Sequence, residues 1–284
     1  MDLFYGFDLG DAESAVARLR KGQKEDPEIL PVRGAKSFVS AYALTRTGET
    51  LIGESACYTP KAVERKIRFK SRFLTDPVSS DDIRRFASGV LANLYQDGSL
   101  RREDDCSFHI GCPAGWDRNV RERYREIFEK VGFPPVRIVT ESRAALMSAC
   151  QSKHLQVGYD ILSKPMLVVD MGSSTTDFAY ILRGREIELQ TAGEVFLGGG
   201  IMDEILLEEC VEASMHAKRI REVFAASEPW RAYCEFSARR LKEKYFNDEA
   251  YWQEHPCEQS VLISYRLPVR LPLKMNRDMA SKLL

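Results

Sequence analysis

The residues best placed to do chemistry lie between Met166 and Asp177. A short apolar run, Met166 to Val169, leads into Asp170-Met171-Gly172-Ser173-Ser174-Thr175-Thr176-Asp177, and Phe178 to Leu182 resume a second strand. The leading run is too short for a helix and predicts a buried strand, so the whole reads as a β-hairpin. Gly172 lets the backbone approach a ligand closely. Ser173, Ser174, Thr175 and Thr176 put several donors into one turn, and successive backbone N–H groups there form an anion-binding nest. Carboxylates at both ends would repel a bare phosphate, so they make sense with a hard cation between them.

The chain repeats this pattern. Leu3-Phe4-Tyr5 leads into Gly6-Phe7-Asp8-Leu9-Gly10, then Asp11-Ala12-Glu13-Ser14 and a second strand from Ala15. Asp170 follows Asp8 by 162 positions. A repeated hairpin at that spacing predicts two similar lobes facing each other, with one polyphosphate and its metal clamped between the two turns.

The paired Asp-x-Gly hairpins resemble those of the actin-like ATPase superfamily, and further motifs narrow the resemblance to the heat-shock protein 70 (DnaK-type) chaperones. Val136 to Ala149 looks like their connecting helix, and Cys112-Pro113-Ala114, followed by a helix with Arg121, like their Val-Pro-Ala turn. Phe196-Leu197-Gly198-Gly199-Gly200-Ile201-Met202-Asp203 and Cys234-Glu235-Phe236-Ser237-Ala238-Arg239-Arg240-Leu241 match two later motifs, all in the family's order. The resemblance implies an α/β, ribonuclease H-like fold of two lobes, 1–164 and 165–284, that binds ATP or ADP with Mg²⁺ and couples nucleotide state to co-chaperone or client proteins.

It also implies roles. Asp8 and Asp170 would hold the metal through water. Lys70, with Lys66 as the alternative, would meet the terminal phosphate, where a lysine neutralises charge building up on the leaving group. Asp177 and Glu141 would order the attacking water. Gly10, Asp11, Gly172, Ser173, Ser174 and Thr175 would surround the phosphates, as would Gly198, Gly199 and Gly200, three glycines expected to open a helix at Ile201 as a ready anion site. Glu235, Arg239 and Lys242 share one helix face and would hold adenosine.

Departures from the family pattern carry their own expectations. Asp11-Ala12 stands where the chaperones have Thr-Thr, which predicts slow hydrolysis and a preference for ADP. Ser173-Ser174 replace glycines, Arg143 replaces a threonine, and Ala238 a base-contacting lysine. The family's Gly-Gly-x-x-x-x-Pro adenosine lid does not occur before Leu284, so the second lobe is expected to be incomplete, in a fragment or a divergent protein. A nucleotide-responsive adaptor without turnover, or a sugar or acetate kinase of the same superfamily, remain alternatives.

Composition fits a two-lobed globular chain: 284 residues, 44% hydrophobic and 29% charged, with a net charge of −1. There is no basic tail to serve nucleic acid and no apolar run long enough to span a bilayer. The start, Met1-Asp2-Leu3, lacks the features of a signal peptide. Seven scattered cysteines without a Cys-x-x-Cys pair predict reduced, mostly buried thiols in a cytoplasm. Lys61 to Leu74 is a basic run with interspersed apolar residues. A helix is expected over Ser80 to Gln96, capped by Ser80-Asp81-Asp82, with others over Asp117 to Val131 and Ser142 to Gln151. Strands at Cys106 to Gly111 and Val136 to Val139 between them predict a mixed sheet covered by helices.

Overall fold

Strict alternation sets the first strand. In Leu3–Leu9, Tyr5, Phe7 and Leu9 are buried, while Gly6 and Asp8 face the other way. A computed structural model describes residues 2–23, 25–151, 159–187, 189, 193–194, 197–264 and 267–284. The chain groups into two compact units, one of Met1–Tyr42, Ile52–Glu54 and Arg68–Gly198, the other of Ala43–Leu51, Ser55–Ile67 and Gly199–Leu284. Both Asp-x-Gly hairpins fall in the first.

The main sheet of the first unit runs in the order Glu28–Leu30, Glu13–Arg20, Leu3–Leu9, Cys106–Cys112, Val136–Thr140. Leu3–Leu9 pairs antiparallel with Glu13–Arg20 and parallel with Cys106–Cys112, which pairs parallel with Val136–Thr140. Parallel neighbours need long crossovers. The helices Ser79–Gln96 and Arg118–Val131 supply them and bury Phe86, Val90, Leu94, Tyr124 and Phe128. Tyr5 stacks on Phe108 with ring centroids 4.8 Å apart. Each such ring adds about 1.5–3 kcal/mol through burial.

Of the two helices that supply these crossovers, one has a side-chain N-cap and the other does not. Asp117 caps Arg118–Val131 by accepting from the Val120 N–H, and Gly132 ends it at φ 97°, the left-handed C-terminal residue that glycine favours. The helix expected at Ser80 starts at Ser79, its N-cap Val78 makes no side-chain cap, and Asp82 instead accepts a 2.6 Å bond from the Tyr42 hydroxyl.

The second hairpin pairs Met166–Met171 with Thr176–Leu182 and continues through Arg183 and Gly184, at φ 51° and 71°, into Arg185–Ile187. Two positive φ values are the signature of a tight hairpin turn. Met166, Val168 and Ile181 pack on Leu146 and Cys150 of the helix Glu141–Gln151. Leu167 and Val169 are 61% and 49% exposed, so the strand expected to be buried is half-buried on one face and exposed on the other. The sequence also suggests that the hairpin continues over Ile187 to Ala192 and that an irregular link over Lys153 to Lys164 precedes it; of these, 188 and 190–192, and 153–158, lie outside the described residues.

In the second unit, Gly199–Glu212, Ala217–Ala226 and Glu228–Asn247 pack with the hairpin Cys257–Ile263/Val269–Met275 and the helix Arg277–Leu283 around Leu206, Ile220, Leu241 and Leu271. Within the basic run, Ala62–Ile67 is a strand, and a 3₁₀ turn spans Ser71–Leu74. Arg65 in that strand donates to the Ala56 carbonyl at 2.8 Å and lies over the Tyr233 ring. All seven cysteines are buried and unbridged. No helix among the described residues is long and apolar enough to cross a membrane.

Candidate functional site

The two hairpin turns are built alike. In the first, the Gly10 N–H donates to the Glu13 carbonyl at 3.1 Å; in the second, the Gly172 N–H donates to the Thr175 carbonyl at 2.8 Å. A Cβ on Gly10 would lie 2.5 Å from the Glu13 carbonyl oxygen, so only glycine closes that turn without a shift. Asp8 pairs in register with Ala15, and Asp170 with Asp177. The same aspartate–glycine spacing and register recur, but only the second hairpin sets two carboxylates opposite each other.

Glu141 opens the helix Glu141–Gln151, where its charge suits the helix dipole. Its side chain lies along Gly111, whose missing Cβ would be 3.1 Å from Glu141 Cγ. The residues on either side are tied to one partner: Thr140 Oγ1 donates to Glu186 at 2.8 Å and Ser142 Oγ at 3.1 Å. Gly111 and Glu186 therefore set the position of Glu141, and neither carries a local sequence signal for that role.

The Lys70 ammonium donates to Glu141 Oε1 from a side chain that is 7% exposed. Burial works against its charge, but Glu141 beside it prevails, and the lysine pKa is raised. The Lys70 and Ser71 N–H groups donate to the Asp11 carboxylate at 2.7 Å and 3.1 Å. Lys66, the alternative, pairs with Glu228 at 2.7 Å in the second unit.

Asp8, Asp170 and Asp177 all have pKa values above the usual carboxylate range. Burial by surrounding protein is the largest cause for each, Glu141 adds its repulsion, and Lys70 opposes the rise. Thr175 Oγ1 donates to Asp177 Oδ2 at 2.8 Å, which lowers that acid again. Pro113, Ala114, Glu141, Ser142, Asp170 and Asp177 line a recess in this unit.

The second turn holds open polar capacity. The Ser173 and Ser174 hydroxyls are buried and have no hydrogen-bond partner among the described residues. Gly198 presses on the same peptide: a Cβ there would be 2.7 Å from the Ser173 carbonyl oxygen. Thr176 Oγ1 donates to the Leu197 carbonyl at 2.9 Å, which locks the glycine loop to the turn. Orphaned hydroxyls and mutually repelling carboxylates fit a phosphate accompanied by a cation. Among the described residues no group of three or more His, Cys, Asp or Glu is placed to hold a metal ion.

In the second unit the glycine helix starts at Gly199, two residues before the expected Ile201. Gly200 is buried within it. Lys242 pairs with Asp203 at 2.7 Å and donates to the Gly199 carbonyl. Glu235 is buried, and Arg239 donates to Glu243 Oε1 at 2.7 Å, one turn along the helix.

This chain is similar to the DnaK chaperones. The chaperone protein DnaK of Thermotoga petrophila is 26% identical over an alignment of 296 positions, covering 96% of this chain and 47% of that protein. DnaK of Thermosipho melanesiensis is 25% identical over 98% of this chain and 46% of its own length. DnaK of Thermoplasma volcanium is 27% identical over 73% of this chain and 35% of its own length. The chain spans about half the length of the DnaK proteins of the two bacteria. No family model matches it. The distant DnaK similarity over most of the chain supports a relation to the heat-shock protein 70 family, and the mixed α/β architecture with several sheets fits the actin-like ATPase fold.

Proposed function

We propose that this chain is the nucleotide-binding part of a heat-shock protein 70-like chaperone, which binds ATP or ADP with Mg²⁺, hydrolyses ATP slowly, and couples nucleotide state to a co-chaperone or client protein. The observation that carries the reading is the pair of Asp-x-Gly turns closed by the same glycine-to-carbonyl bond, in a chain similar to DnaK over most of its length. The seven unbridged cysteines fit a reducing cytoplasm.

Bound Mg²⁺ would neutralise the charge of the phosphates. The chain's own residues have separable tasks. Asp8 and Asp170 would accept hydrogen bonds from the water around the cation. The turn amides and the Ser173 and Ser174 hydroxyls would donate to phosphate oxygens. Lys70 would stabilise charge on the transferring phosphoryl group, and Glu141 and Asp177 would orient water, which is most of what phosphoryl transfer asks of a protein. Glu235, Arg239 and Lys242 stand as the proposed adenosine contacts.

Calorimetry with ATP and ADP, with and without Mg²⁺, tests the reading. Mg²⁺-dependent binding supports it. No heat and no thermal shift at millimolar nucleotide would sink it.

A further inference from the structure

We propose that Asp11 is a positioning residue for Lys70 and not a ligand of phosphate. The importance of Lys70 rests on the nucleotide reading above; the clamp itself does not.

Asp11 lies in the turn of the first hairpin, just past Gly10. Its Oδ1 accepts from the Lys70 N–H at 2.7 Å, and both of its oxygens lie 3.1 Å from the Ser71 N–H. These are the amides at the start of the 3₁₀ turn Ser71–Leu74, whose N-cap is Lys70 itself and which has no side-chain cap of its own. The first amides of any helical turn lack internal partners, and a carboxylate is the strongest acceptor available for them.

The segment needs such an anchor. Arg68, two residues earlier, sits at φ 51°, a left-handed conformation that strains a residue carrying a Cβ. Lys70 must then turn its side chain inward, where it is 7% exposed and reaches Glu141. Phe69 and Phe73 flank it in the core. Asp11 thus ties the first phosphate turn to the lysine turn through backbone, across 59 positions of sequence. A carboxylate engaged by two amides has its charge directed at the backbone, so the repulsion expected between Asp11 and a phosphate is already offset.

The test compares the parent with Asp11→Ala, Asp11→Thr and Asp11→Asn. Asparagine keeps one acceptor oxygen at nearly the same size. Hydrogen exchange on nucleotide-free protein reads the clamp directly. Loss of a charged acceptor should speed exchange of the Lys70 and Ser71 amides about tenfold in the alanine and threonine forms. The asparagine form should stay near the parent, and the Ser79–Gln96 helix should be unchanged in all. Parent-like exchange in the alanine form overturns the proposal.

Single-turnover hydrolysis and competition binding read the consequence. The alanine form should lose about tenfold in turnover with ATP and ADP affinities within about twofold of the parent, and the asparagine form should restore most of the rate. A tenfold swing towards ATP in Asp11→Asn, from loss of the charge alone, would mean that Asp11 faces phosphate and would overturn the proposal, and this form decides the matter if the other two do not fold. If the parent binds no nucleotide, the proposed function fails while the exchange result still judges the clamp.

Discussion

Asp170 and Asp177 face each other as register partners across the second hairpin. Like charges directly opposite in a sheet destabilise it, and burial with Glu141 nearby raises both acids further. The arrangement is unfavourable alone and becomes reasonable beside a cation.

The sign of its pH dependence follows. Between the ordinary carboxylate pKa, about 4, and the raised folded values, the folded chain holds protons that the unfolded chain has released. Stability of the nucleotide-free protein therefore falls as pH rises through that window. Asp177→Asn should stabilise it by up to ~1 kcal/mol at neutral pH, with the gain vanishing near pH 4. Urea melts at both pH values check this. A variant less stable than the parent at neutral pH would show that the repulsion is not felt.

Ser173 and Ser174 should separate stability from binding. A buried hydroxyl without a partner adds nothing to the fold, so Ser173→Ala and Ser174→Ala should leave the melting temperature unchanged or slightly raised. Each should weaken Mg-ATP about tenfold if the hydroxyl serves phosphate. Thermal melts and calorimetry on the same preparations check the pair of effects.

Removing Lys70 leaves Glu141 without its ammonium. With Glu141 partly exposed, the cost of Lys70→Ala should be ~2 kcal/mol, below the 3–5 kcal/mol of a fully buried pair. Lys70→Ala combined with Glu141→Gln should cost less than the sum of the two, because the pair is coupled. A double-mutant cycle by denaturant unfolding gives the number.

Gly198→Ala should destabilise by about 1–3 kcal/mol through overpacking against the Ser173–Ser174 peptide. Gly6→Ala serves as the control, since a Cβ there meets nothing within 4 Å. Equal unfolding midpoints for the two variants would mean that the loop yields freely.

What could be read from sequence divides by range. The two hairpins were legible because turn chemistry is local: aspartate, glycine and hydroxyl residues announce their own geometry. The helix expected over Ser142 to Gln151 was legible too, although it begins one residue earlier, at Glu141. The helix cap at Ser80 was misplaced because Asp82 goes to Tyr42, a partner 40 positions away with no local trace. The basic run gave no hint that Arg68 would turn left-handed and end a strand. The amides of Lys70 and Ser71, from which Asp11 accepts, are invisible from its own turn.

The period-two alternation of Met166–Met171 has a practical use. It puts Asp170 on the inner side, while Met171, its chain neighbour, is 76% exposed. A thioether so open is an early target for mild peroxide, which converts it to a polar sulfoxide. The rate of that oxidation, read by mass spectrometry, therefore monitors the turn from its outer face, and a ligand that orders the turn would register there without touching the reporter.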